Sequence, residues 1–274
     1  MTLHHLNPQQ IARDTFLVRA YFQAPGDPVG VACNSMIIRG AEPVLVDTGA
    51  AVGRAEWAAA TFSLVDPADV RWIVLTHDDV DHEGNLEYAL EQCPNATLVT
   101  TWLASQRMAA GMALPLDRQR WVGDGERLAV GDRDLVLVRP PVYDSPVTRG
   151  VFDTATGVYW GSDAFGSPVP APVDHAADLD RTQWLEGIAG FSSMLSPWHT
   201  MADRHRFEAE VGRVRALDPV AIASCHGPLI GQSLVIPALD ATAALAGAPA
   251  VQTPGQELLD LMLSALSPVP GHAA

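Results

Sequence analysis

The chain has 274 residues, 48% of them apolar, and a formal net charge of −15. That length and apolar content allow a full hydrophobic core and exclude intrinsic disorder. The acidic balance, in which all 17 basic residues are arginine, repels a phosphate backbone and argues against nucleic-acid binding.

The three cysteines, Cys33, Cys93 and Cys225, are an odd set without metal-type spacing. No disulfide framework is expected, and a reducing, cytoplasmic setting is the default. The opening stretch MTLHHLNPQQIARD is polar and lacks the apolar core of a signal peptide; its His4 and His5 are expected to be solvated. No run approaches the roughly 18 apolar residues of a membrane span, so no membrane partner is expected.

Residues 15–23 (TFLVRAYFQ) read as a strand, rich in β-branched and aromatic side chains. Gly26, Pro28 and Gly30 mark a turn, and 34–39 and 43–47 read as two short strands ending at Asp47–Thr48–Gly49. Residues 53–62 have helical character. The continuous apolar run 72–76 (WIVLT) has the signature of a strand buried on both faces. Helical spacing follows over 83–92, then a strand at 96–100 and a helix at 101–112. Two strands are expected around Gly131 (127–138), and a hairpin over 150–161. Residues 203–217 form an amphipathic helix with Asp203 as N-cap, and 219–224 a last buried strand. An Ala-rich segment, 238–253, leads to a C-terminal helix at about 255–266. Its Leu258, Leu259, Met262 and Leu266 are expected to dock on the core or on a partner, and Pro268–Ala274 to fray. No linker splits the chain, so 1–274 is read as a single α/β domain with two mixed sheets covered by helices.

The chemistry concentrates in LTHDDVDHEG, residues 75–84. A buried strand ends at Thr76, and His77, Asp79, Asp81 and His82 follow within six positions. Strand C-termini are where α/β folds place their sites. Two carboxylates about 4 Å apart repel by roughly 4 kcal/mol at an effective dielectric near 20, and a divalent cation turns that repulsion into binding. Acids also decorate helix N-termini, which accounts for the carboxylates but not for two histidines in the same frame.

This segment resembles the His-x-His-x-Asp-His signature of the metallo-β-lactamase superfamily, with Asp47–Gly49 matching its upstream Asp-Thr-Gly turn. Asp79 stands where most members have the second histidine. That departure resembles the flavodiiron and oxygen-binding diiron branch, which carries Glu there. YDSPVTRG (143–150), GSDAFG (161–166) and SCHGP (224–228) are similar to further stretches of that branch. The matching motifs run from about residue 34 to 230.

The resemblance implies an αββα sandwich with one or two divalent metal ions. One position takes Asp81, His82, Asp163 and His226. The other takes His77, Asp79 and Asp163, and lacks an imidazole because Pro141 stands where the branch has a histidine. Tyr143, Asp144 or water can fill that gap, or the second ion is absent. The set is all nitrogen and oxygen, which suits iron, manganese or zinc and argues against a thiolate site. The carboxylate at Asp79 favours iron, then manganese, over zinc. Cys225 is read as a small buried residue, and His199 and His205 as structural. His175 and the Pro-rich loop 167–173 are possible parts of a lid, and Trp198 and His199 of a pocket.

Three functions remain open. The first is a stand-alone diiron-type protein that binds or reduces dioxygen, nitric oxide or peroxide. No flavodoxin-like segment follows, so electrons are expected from a separate flavoprotein or similar donor. The second is a metallohydrolase of an ester, thioester or lactone. The third is a degenerate metal-binding sensor or scaffold. The substrate is a small molecule in the first two, and a homo-oligomer is open in all three.

Overall fold

A computed structural model describes residues 2–24 and 26–266. The expected fraying of Pro268–Ala274 lies outside the described residues. The chain opens with a hairpin of β1 (Thr2–Ala12) and β2 (Thr15–Gln23). Short β3 (Val31–Ala32) also pairs with β2, and β4 (Ser35–Ile38) and β5 (Val44–Val46) continue antiparallel. Helices α1 (Arg54–Phe62), α2 (Leu86–Gln92) and α3 (Trp102–Met108) then alternate with strands β6 (Trp72–Val74), β7 (Thr97–Thr100) and β8 (Gln119–Trp121). These crossovers make β5 to β8 parallel.

A meander follows, of β9 (Glu126–Ala129), β10 (Asp134–Val138), β11 (Gly150–Asp153) and β12 (Val158–Trp160). Helices α4 (Arg181–Leu195) and α5 (Arg204–Arg215) lead to β13 (Ala221–Ala223), which pairs parallel with β12. Strand β14 (Ile230–Gly231) and helices α6 (Gln232–Ala243) and α7 (Gln256–Leu266) close the described chain.

The strands form two mixed sheets. One runs β1-β2-β4-β5-β6-β7-β8 with β3 beside β2, and the other runs β14-β13-β12-β11-β10-β9. Alternation along each strand decides what each face covers. In β10, Leu135 and Leu137 face the first sheet, while Val136 and Val138 face α4 to α6. In β6, Val74 lies between the sheets and Ile73 packs under α1 to α3. Three apolar layers result, one between the sheets and one under each helical face, which is the expected αββα sandwich.

Several expectations are corrected. The N-terminal stretch is an edge strand, and its Pro8 falls in a register shift between Leu6 and Gln9, where an edge tolerates proline. His4 is exposed, but both ring nitrogens of His5 are buried, and a Cβ on Gly53 would meet that ring. The helix expected over 101–112 ends at Met108. Helices α4 and α6 were not anticipated; α6 carries Pro237 inside it. Loop 167–173 is anchored at Val169, which bridges Gly30 and accepts a 2.7 Å hydrogen bond from the Tyr21 hydroxyl. In helix α7, Leu258 and Met262 are half-buried, whereas Leu259, also expected to dock, is exposed. Among the described residues, no helix is long and apolar enough to cross a membrane.

Candidate metal centre

The candidate residues meet at one edge of the sandwich, just past the C-terminal ends of β6, β12 and β13. His77 and His82 lie in the loop after β6, Asp163 follows β12, and His226 follows β13. Asp163 is the focus. Its Oδ2 lies 3.4 Å from His77 Nε2, and its Oδ1 lies 2.8 Å from His82 Nε2 and 3.2 Å from His226 Nε2. Asp81 joins from above, with Oδ2 3.3 Å from His226 Nε2 and 3.9 Å from His82 Nε2. Asp79 Oδ2 is 3.6 Å from His77 Nε2. All six residues expected from the sequence are therefore brought together.

The opposite nitrogen of each imidazole is tied down. His82 Nδ1 contacts Asp47 Oδ2 at 2.9 Å, His226 Nδ1 contacts the Ala32 carbonyl at 2.9 Å, and His77 Nδ1 lies 3.2 Å from the Ser162 hydroxyl. Every Nε2 is thus turned inward. Yet His77 Nε2, His82 Nε2 and Asp163 Oδ1 are buried without a hydrogen-bond partner, because their short contacts are misaligned. Buried polar atoms rarely lack partners. A divalent cation among them supplies what is missing, so the donor set fits a metal.

Asp47 explains the Asp-Thr-Gly turn. It sits at the end of β5 with φ 60°, a strained value for a residue other than glycine. Its carboxylate accepts from the Thr76 amide, the Thr76 hydroxyl and Trp160 Nε1 besides facing His82. Thr48 donates to the His82 carbonyl at 2.8 Å, and Asn85 Nδ2 donates to the Thr48 carbonyl. Gly84 is needed for this close approach, since a Cβ there would clash with the Ala51 amide nitrogen. The turn therefore clamps the histidine loop.

Charge reinforces the geometry. Burial lowers the pKa of His82, but Cys225, Asp163 and Asp47 outweigh it and hold the imidazole well above its usual range. His226 behaves alike: burial opposes the proton, while Cys225 and Asp163 hold it there. Burial alone would raise Asp163, yet His82 and His226 pull it well below the usual carboxylate range. Asp144 is pushed up by burial and by the charge of Asp163.

Two residues join that the sequence reading left open or set aside. Asp144 Oδ1 lies 3.9 Å from His77 Nε2, and His77, Asp79 and Asp144 form one group with metal-ligand spacing. Asp144, one of the replacements considered for the missing imidazole, lies near His77, while Pro141 lines an outer cavity of about 540 Å³ with Tyr143 and Trp198. Cys225 belongs to a second group, with Asp81, His82 and His226. Asp78 stays outside, paired to Arg107 at 2.7 Å. His175 and His205 are exposed, and buried His199 bonds Ser193 and the Leu245 carbonyl rather than lining the cavity.

Residues 31–227 match the profile of a family described as ODP family beta lactamase. The chain belongs to this family. Among relatives, it is 30% identical over 138 residues to diflavin flavoprotein A 1 of Synechocystis, which covers 50% of this chain and 24% of that one. It is 29% identical over 171 residues to an anaerobic nitric oxide reductase flavorubredoxin of Salmonella typhi, covering 62% and 36%. The fold is similar to that of rubredoxin oxygen:oxidoreductase from Desulfovibrio gigas, with a TM-score of 0.74, 19% identity, and coverage of 87% and 61%. The aligned part spans between 34% and 51% of the first curated relatives.

Within this family member, Asp47→Asn tests the supporting carboxylate. The substitution keeps the shape but turns an amide N–H toward groups that themselves donate. Removing such an orienting partner is expected to weaken metal binding about 10–100-fold. Leaving buried donors unsatisfied should also cost roughly 1–3 kcal/mol of stability. Calorimetric metal titration and thermal melts check both; unchanged affinity would show that His82 needs no orienting partner.

Proposed function

We propose that the chain is a dinuclear metal-dependent oxidoreductase that reduces a small oxidant, dioxygen or nitric oxide, with electrons from a separate flavoprotein or similar donor. The observation that carries this reading is the Asp163 carboxylate, with one oxygen toward His77 and the other toward His82 and His226. In this reading Asp81, His82 and His226 hold one ion, His77, Asp79 and Asp144 hold the other, and Asp163 serves both. A bound pair of iron ions supplies redox capacity that these side chains lack. Two hard carboxylates beside His77 favour iron or manganese over zinc.

The protein's own groups set the rest. Asp47, the Ala32 carbonyl and Ser162 fix the three imidazoles with Nε2 inward. The side chains of Asp79, Asp81 and Asp144 are 44%, 28% and 26% exposed, so the open side of the site is acidic. A neutral diatomic gas meets no repulsion there, whereas an anionic ester does. The names of the relatives, an oxygen:oxidoreductase and a nitric oxide reductase, support the same substrate class.

The test is a single turnover. Iron-loaded protein, reduced anaerobically, is mixed with dioxygen or nitric oxide and followed optically and with a gas electrode. It should consume the oxidant, and zinc-loaded protein should not. Asp79→Ala should slow consumption roughly 10-fold or more with little loss of fold. If the zinc form instead hydrolyses lactones or thioesters while the iron form ignores both gases, the oxidoreductase reading fails.

A further inference from the structure

The two halves of the centre are chemically unequal. Around His77 the donors are carboxylates, from Asp79, Asp144 and Asp163. Around His226 a thiol is present. One donor atom from each of Asp81, His82, Cys225 and His226 lies within 4.8 Å of the others. An ion held by nitrogen and oxygen at ~2.0–2.2 Å and sulfur at ~2.3 Å keeps tetrahedral donors roughly 3.3–3.7 Å apart. The Asp81–His226 separation, 3.3 Å, is already in that range, and the Asp81–His82 separation, 3.9 Å, lies just outside it.

Cys225 is held in place by its backbone. Its amide donates to the Ser162 carbonyl and its carbonyl accepts from the Asn34 amide, each at 2.9 Å. The residue is 0% exposed, among the apolar side chains between the sheets. Packing there needs only a small side chain, and alanine would serve. Packing does not require sulfur within reach of two imidazoles and a carboxylate.

We propose that Cys225 is a metal ligand, so that this half of the centre is a thiolate site in which Cys225 joins Asp81, His82, His226 and the shared Asp163. The inference rests on the metal-centre reading above and deepens it. As the sulfur–metal bond forms, the thiol proton leaves to solvent, and no electron changes hands. Thiolate is a soft donor and selects zinc or ferrous iron, while the carboxylate-rich half selects harder ions. The pair is then built to hold two different metals, or one metal in two unequal environments.

Cobalt(II) titration of the metal-free, reduced chain tests this. Bound cobalt has visible ligand-field bands with any donor set and a near-ultraviolet charge-transfer band only with thiolate. The first equivalent should give both. Cys225→Ser should lose the charge-transfer band and keep cobalt, and Cys33→Ser, changing the neighbouring thiol, should keep the band. X-ray absorption of wild-type zinc protein gives a readout independent of any variant: one sulfur at ~2.3 Å. Ligand-field bands without charge transfer, or a shell of nitrogen and oxygen alone, overturn the thiolate while leaving the metal centre intact. A band that survives in Cys225→Ser also overturns it. Failure to bind cobalt at all overturns the metal-centre reading and this inference together.

Discussion

Asp163→Asn is expected to empty both metal positions, whereas Asp144→Ala should weaken only the one around His77. Asp163 faces all three imidazoles, and its two oxygens divide between them. Asparagine keeps the shape but removes the negative charge that both ions share in the proposed centre, and it would turn an N–H toward at least one of them. Affinity at both positions should fall by at least ~100-fold, beyond the range typical of losing a merely orienting group. Asp144 is 3.9 Å from His77 and joins only the group with His77 and Asp79. The metal-free Asp163→Asn protein should also be less stable, because His82 and His226 then lose the charge buried between them. Breaking such a pair costs up to roughly 3–5 kcal/mol, less what the histidines recover by releasing protons. Elemental analysis after metal loading, with calorimetric titration of each variant, checks the pattern. A protein that retains one tight ion after Asp163→Asn would show that the carboxylate is not shared.

Much of this centre is legible in the sequence. Strands with continuous apolar runs, such as 72–74 and 221–223, are buried on both faces, and the ligands follow immediately after them. Dense spacing of His and Asp after Thr76 is a local signal, so six residues converged as expected. Asp203 also caps its helix as read, accepting from the Arg206 amide at 3.0 Å. What was not legible depends on partners far away in sequence. Cys225 is the small buried residue that the sequence suggests, but nothing near it in the chain announces that Asp81 and His82 lie opposite. Asp144 was one of several replacements for a missing imidazole, and only the path of the loop after β10 singles it out. The role of Asp47 depends on His82, 35 residues later.

The missed elements have local causes. Strand β1 lacks a clean two-residue alternation and contains Pro8, which sequence logic removes from strands; its edge position and register shift accommodate it. Helix α6 carries Pro237, which argues against a helix, yet Val235, Ala238, Leu239 and Thr242 bury one side of it. Tertiary burial outweighs local preference in both cases.

Metal-free protein should lose stability as pH rises above about 6.5, while metal affinity should rise over the same interval. Both trends come from His82 and His226. Their ordinary value is 6.5, and in the folded, metal-free chain burial pulls them down less than Cys225 and Asp163 hold them up. A histidine raised in the folded state contributes stability that is complete below its unfolded value and disappears as pH climbs through the folded value. With two such groups, the slope reaches at most about −2.7 kcal/mol per pH unit. Asp163 contributes in the opposite sense, but its range lies below 3.8, so it is constant here. Buried thiols would steepen the fall at higher pH, since Cys93 is raised to about 12, and the decisive interval is therefore pH 6.5–8. A metal ion needs both Nε2 atoms unprotonated, so loading at pH 7 should release about two protons from these imidazoles, besides any from the thiol. Melting temperatures of chelator-treated and metal-loaded protein should diverge across that interval, the first falling and the second rising. Proton release, followed with an indicator in weak buffer, gives the count independently. Metal-free protein that gained stability from pH 6.5 to 8 would show that the two imidazoles are neutral before the metal arrives.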